Sequence, residues 1–261
     1  MIYEHKNGST TYYKTFGDES DPLIVLLHGI GADNDMFAPQ EEALSGLRYY
    51  VVALDLLAHG KSSKASSLGM QCFADQVLEL ISHLNKRKAS LLGVSMGGVI
   101  ALFIAANYPH IIDKLIISDS FGELKTASEK ILGKSQVLGF KLFKLLGVKT
   151  LAKSMALTYK ADYAIKAREY MTKVSLKVDL DQMIMARKAI NTINVLDALK
   201  KNTYEALCIC GSEFGKSFID INRKIADALK TDLVILDNSM DPSNLVNPEK
   251  FNQAVREFLT K

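Results

Sequence analysis

The segment Leu91-Leu92-Gly93-Val94-Ser95-Met96-Gly97-Gly98 constrains this chain more than any other. The short apolar run ending at Val94 reads as a buried strand, and the Ala- and Ile-rich run from Gly97 to Asn107 reads as a buried helix. Almost nothing separates the two. A turn that abrupt forces Ser95, at its apex, into a backbone conformation that side chains resist, and small flanking residues let strand and helix approach closely. The turn leaves a hydroxyl exposed above the carboxyl end of a strand. Behind it, the Met96 N–H lies at the positive end of the helix, where it can donate to an oxyanion.

Other apolar runs repeat the strand-then-helix rhythm. Strands are expected at Thr11–Phe16, Leu23–Leu27, Tyr50–Leu54, Ser90–Val94, Leu115–Ser118, Ala206–Cys210 and Leu233–Leu236. Helices are expected at Met36–Leu47, Met70–Arg87, Gly97–Asn107, Phe218–Leu229 and Glu249–Leu259. The inner strands are nearly continuous Leu, Ile and Val, the pattern of strands buried on both faces. The order therefore predicts an α/β fold, a mostly parallel central sheet flanked by helices. At 261 residues and 48% hydrophobic content, the chain can bury one large core.

One connection is too long for an ordinary crossover. It divides the chain into a core domain, 1–120 and 204–261, and a helical insertion, 121–203, that looks like a lid. Leu138, Leu142, Leu145 and Leu146 share one helical face in this insertion, and that face is expected to pack on the sheet domain, with an apolar or acyl pocket compatible with such packing. The insertion carries 16 Lys and Arg against 7 Asp and Glu, which accounts for the net charge of +3. Interspersed lysines read as a solvated face; contact with a membrane surface is the lesser alternative. No basic tail, repeat or nucleic-acid motif is present.

The N-terminus has neither the charged nor the apolar region of a signal peptide, and no stretch is apolar enough to span a bilayer, so a cytoplasmic location is expected. Cys72, Cys208 and Cys210 read as free thiols, the last two facing one side of a strand. No metal-ligand spacing and no nucleotide-binding glycine loop appear, so neither metal nor cofactor is expected.

Three further motifs accompany the serine turn: His28-Gly29-Ile30-Gly31 after one strand, Asp55-Leu56-Leu57-Ala58-His59-Gly60 after the next, and Asn247-Pro248-Glu249 at the last helix. Together they resemble the α/β-hydrolase superfamily, in particular its lid-bearing esterase, lipase and C–C bond hydrolase branch. The resemblance makes Gly93 to Gly97 a nucleophile elbow, Ser95 the nucleophile, and the Ile30 and Met96 amides the oxyanion hole. Ala58 departs from the family, which usually has glycine there.

The triad departs further. The family places its histidine in the loop after the last strand, and that loop, Asp237 to Val246, has Asp241 at the corresponding position. The last histidine in the chain is His110, so no alignment can supply one. The acid position after Gly211 is also irregular: Phe214 stands there, with Glu213 adjacent, while Asp119 occupies an alternative family position for the acid. His28 is expected to brace the oxyanion loop and His59 a neighbouring loop; His83 and His110 read as surface or packing residues.

A serine hydroxyl needs a base, and an ordinary carboxylate titrating near 4 is a weak one. Loss of the histidine alone costs a serine protease about a million-fold in turnover. Two functions follow. One is a hydrolase of carboxylic esters or thioesters through Ser95, with low ordinary turnover and Asp241, Glu213 or Asp119 as unconventional partners. The other is a pseudoenzyme that holds a small molecule or a partner in the same pocket.

Overall fold

The apolar runs pair into one eight-stranded sheet in the computed structural model, which describes residues 1–261. Its strands are β1 (Ile2–Glu4), β2 (Thr10–Phe16), β3 (Leu23–Leu27), β4 (Tyr50–Leu54), β5 (Ala89–Val94), β6 (Ile112–Ser118), β7 (Glu205–Gly211) and β8 (Leu233–Leu236). The spatial order is β1-β2-β4-β3-β5-β6-β7-β8. The first two pairings, β1 with β2 and β2 with β4, are antiparallel, and the remaining five are parallel.

Alternation along each inner strand feeds two cores. Leu23, Val25 and Leu27 of β3 join one core with Val52 of β4 and Leu115 of β6, while Ile24 and Leu26 join the other with Val51 and Ile116. The helices α1 (Ala38–Ser45), α2 (Met70–His83) and α3 (Met96–Asn107) follow β3, β4 and β5. Between β6 and β7 come α4 (Ala127–Leu146), α5 (Val148–Thr158), α6 (Ile165–Ser175), α7 (Leu180–Ile190) and α8 (Leu196–Leu199). The chain then closes with α9 (Lys216–Leu229), α10 (Ser243–Val246) and α11 (Pro248–Leu259). Phe73 and Val77 of α2, Val99 of α3 and Ile225 of α9 fill the first core; Leu44 of α1 and Phe251 and Val255 of α11 fill the second. The sheet is thus covered on both faces, as parallel strands require. No helix is long and apolar enough to cross a membrane.

Several boundaries differ from expectation. The three-residue β1 is too short to show a period, yet it pairs with Thr10–Tyr12 through a turn at Gly8. The helix expected over Met36–Leu47 splits between Phe37 and Ala38 into a 3-10 turn, Asn34–Phe37, and α1, with Pro39 in the first turn of α1. Helix α2 ends at His83 rather than Arg87, because Asn85 takes a left-handed φ of 56° just beyond it. Ala58 also lies in that region, at φ 69°, which explains why glycine suits its position.

The largest correction concerns α4. Thr126 and Glu129 form a reciprocal capping box that starts the helix. Leu138, Leu142, Leu145 and Leu146 do not pack on the sheet domain; they face solvent, with Leu145 84% exposed. The opposite side of α4 turns inward instead, where Phe140 and Phe143 pack near Leu151 of α5 and Met183 of α7. Further along, Ala186 and Ile190 of α7 and Leu196 of α8 merge with the first core.

Candidate active site

Ser95 sits between β5 and α3 with φ 54° and ψ −117°, a strained conformation for a residue with a side chain. Backbone contacts hold it there: Ser95 N donates to Ser118 O at 2.9 Å, and Ser120 Oγ donates to Ser95 O at 2.8 Å. The flanking glycines are required by close approach. A Cβ on Gly93 would lie 2.4 Å from Gly97 O, and one on Gly97 would lie 1.8 Å from Leu27 O.

The loop after β3 lies against the serine, since a Cβ on Gly29 would stand 3.4 Å from Ser95 Cβ. Neither the Ile30 nor the Met96 amide donates a hydrogen bond within the protein. Both N–H groups are therefore unspent. His28, fully buried, braces this loop as expected: Leu56 N donates to its Nε2 at 3.0 Å, so Nδ1 carries the proton and donates to Gly29 O at 2.8 Å. Burial pushes His28 down to about 4 and keeps it neutral.

His59 packs edge-on against His28, with ring centroids 5.2 Å apart, and burial pushes it down to about 3. His83 stacks on Tyr3. His5 bonds Glu79 of α2 and Thr11 of β2. His110 lies in the short turn Pro109–Ile111. No imidazole reaches Ser95.

Asp241 does. Ser95 Oγ donates to Asp241 Oδ2 at 2.7 Å across 146 residues of sequence. The loop that carries Asp241 is anchored by Tyr159, whose hydroxyl donates to Asp241 O at 2.8 Å, and by Ser243, whose N–H donates to Asp119 Oδ2 at 2.9 Å. Asp119 also accepts from Gly211 N at 2.9 Å and Ser118 Oγ at 2.9 Å. Burial raises Asp119 above the usual carboxylate range, but its three donors oppose this by favouring the ionised form, and on that geometry Asp119 is the member of the pair that carries the charge. Burial and that neighbouring charge push Asp241 up to about 8, against the Ser95 hydrogen bond and the Arg187 charge, which lower it. A buried ionisable carboxyl thus faces the Ser95 hydroxyl, and its titration is moved near the range where an imidazole works.

Glu213 is not brought to the site; its carboxylate is exposed and accepts from Ser212 Oγ at 2.7 Å. Phe214 lines the site in its place. The cysteines are free, as expected, and burial pushes the Cys208 thiol up to about 12.

Ser95 and Asp241 stand where two cavities meet. One, of about 400 Å³, is apolar, with Met36, Phe140, Leu151 and Met155 in its wall. The other, of about 510 Å³, is polar and holds Arg187. Arg187 is only 4% exposed, lies 5.1 Å over the Phe121 ring, and was missed by the sequence reading. A signal existed, because Arg187 falls seven residues after Leu180, on the apolar stripe of α7 rather than its polar side.

Residues 22–139 match the family model for the alpha/beta hydrolase fold. This match covers the serine turn, the loop after β3 and the parallel strands that carry them. The chain has the α/β-hydrolase fold. Over 259 residues it is 26% identical to an (E)-2-((N-methylformamido)methylene)succinate hydrolase of Acinetobacter baylyi, covering 97% of this chain and 95% of that protein. It is 35% identical to 3-oxoadipate enol-lactonase 1 of the same organism over 104 residues, 40% of this chain and 39% of that one. Among solved structures, a carboxylesterase from Nitrososphaera gargenis superposes with a TM-score of 0.89 at 21% identity, over 100% of this chain and 98% of the other. The enol-lactonase from Burkholderia xenovorans superposes with a TM-score of 0.86 at 23% identity, over 100% of both chains. At these identities the structural likeness establishes the fold alone.

Proposed function

We propose that this protein cleaves carboxylic esters or thioesters of small molecules through Ser95, with Asp241 in place of the usual histidine. The observation that carries the reading is the 2.7 Å contact between Ser95 Oγ and a carboxyl whose titration is pushed up to about 8. Relatives named as a hydrolase and an enol-lactonase support hydrolysis as the reaction class.

Ionised Asp241 takes the Ser95 proton as Oγ bonds to the carbonyl carbon, and the Ile30 and Met96 amides receive the resulting oxyanion. Asp241 returns that proton to the departing alkoxide or thiolate as the C–O or C–S bond breaks. Water then loses a proton to Asp241 and attacks the Ser95 ester; collapse releases the acid, and Ser95 recovers its proton. At pH 7 only about a tenth of a carboxyl titrating near 8 is ionised, so turnover is low there and rises with pH.

Residues 1–120 and 204–261 are the catalytic core in this reading, and 121–203 the lid whose Phe140 and Phe143 wall the apolar cavity. Non-catalytic ligand binding is the second reading. It is favoured by the absence of an imidazole at the site and by the surface position of Glu213.

The test is covalent labelling with an alkyl fluorophosphonate at pH 9, read by intact-protein and peptide mass spectrometry. A single adduct on Ser95 that disappears in Ser95→Ala supports the hydrolase. An unlabelled wild-type protein contradicts it and leaves the binding reading.

A further inference from the structure

The polar cavity beside Ser95 contains a buried cation that feels the Asp241 charge but makes no ion pair or hydrogen bond with any carboxylate. Arg187 is buried on α7, and its Nε and one terminal nitrogen, Nη2, make no hydrogen bond. Leaving a buried guanidinium without partners is costly, and burial already pulls this one down to about 10. Phe121 offers only its ring face, at 5.1 Å from Cζ, which leaves the in-plane donors unused.

The other charged groups of the cavity are spent or lie at its mouth. Glu129 accepts from Lys224 at 2.6 Å and caps α4 through the Thr126 and Lys125 amides. Asp119 is saturated by its three donors. Asp220 is exposed to solvent. Asp241 has Ser95 as its partner. Arg187 is thus the one group here with charge and donors to offer a ligand, and its planar fork suits a carboxylate.

We infer that Arg187 is the recognition residue for a carboxylate on the substrate, so that the molecule cleaved at Ser95 is an anionic ester or thioester. This deepens the hydrolase reading and rests on it for the word substrate; the anion site itself does not. The carboxylate occupies the polar cavity, and the remaining part of the molecule occupies the apolar cavity on the other side of Ser95.

The experiment pairs two aryl esters of matched length, p-nitrophenyl hydrogen succinate and p-nitrophenyl butyrate, with calorimetric titration of free succinate into the unreacted protein. Wild-type protein is expected to prefer the anionic ester in kcat/KM by at least about thirtyfold, the scale of a desolvated charge pair. Most of that preference is expected in KM. In Arg187→Gln the ratio between the two esters falls at least about tenfold, with Arg187→Lys recovering part of it, and succinate binding weakens in parallel.

Succinate binding that depends on Arg187, in a protein that hydrolyses neither ester, sustains the anion site and overturns the hydrolase reading. Hydrolysis of both esters at equal kcat/KM, with no succinate binding by wild-type protein, overturns the anion site and leaves the hydrolase reading standing. If Arg187 merely positions Asp241, its loss slows both esters alike and the ratio stays fixed, which also overturns the proposal. Wild-type protein alone decides the main question, so a poorly folding variant does not blunt the test.

Discussion

Ser95 Oγ and Asp241 Oδ2 lie 2.7 Å apart, a serine hydroxyl bonded directly to a carboxyl at the position where the resemblance to α/β-hydrolases implies an imidazole. Asp119 stands behind them, held by Gly211, Ser118 and Ser243. In the proposed mechanism Asp119 is the acid that would orient a base at position 241.

Restoring the imidazole is the first prediction. Asp241→His puts a base between Ser95 and Asp119, whose charge stabilises the imidazolium that forms on attack. Hydrolysis of p-nitrophenyl butyrate at pH 7 is expected to rise at least about tenfold, the lower end of what a positioned base contributes. An unchanged rate would show that Asp119 cannot orient a ring at position 241.

Asp241 also sets the pH dependence of stability. Its carboxyl titrates near 8 in the folded protein, under burial and the Asp119 charge, and near 4 when unfolded. A raised folded value means that folding takes up a proton between these limits. The stabilisation is complete below about pH 4 and is lost as pH rises through about 8. Asp241→Asn cannot ionise and escapes this loss. Its melting temperature relative to wild type is expected to climb from pH 5 to pH 9, by about 3 °C or more. A constant difference across that range would mean that position 241 does not titrate as described.

The two sides of the molecule should respond very differently to substitution. Leu145 is 84% exposed and Phe251 fully buried beneath the sheet. Leu145→Gln is expected to change unfolding free energy by less than about 0.5 kcal/mol, whereas Phe251→Ala is expected to cost about 3–5 kcal/mol. Urea denaturation of both variants checks this. A large loss at Leu145 would mean that the outer face of α4 is covered in solution.

Much of the core was legible because its signals are local. The limits of β3, β4 and β8 follow from uninterrupted apolar runs bounded by turn residues, and the serine turn from glycines that no other residue could replace. Asp241 was located by counting back from Asn247-Pro248 and by the absence of any histidine beyond His110. What stayed hidden depends on distant packing. The leucines of α4 and its inward phenylalanines share one amphipathic helix, and periodicity cannot say which side meets the protein. Arg187 reads as one more basic residue until α7 is seen to bury it beside Phe121. Glu213 sits beside Phe214 in sequence, yet after β7 the carboxylate faces solvent while the ring, itself partly exposed, borders the two cavities.

The central claim is that Asp241 is the base for Ser95, and the pH dependence of kcat/KM for p-nitrophenyl butyrate tests it most directly, with Ser95→Ala rates subtracted as background. The account predicts a rate that climbs about tenfold per pH unit below about 8 and levels above it, a limb that is absent in Asp241→Asn. A limb at the ordinary histidine position near 6.5, or one that survives in Asp241→Asn, would contradict it.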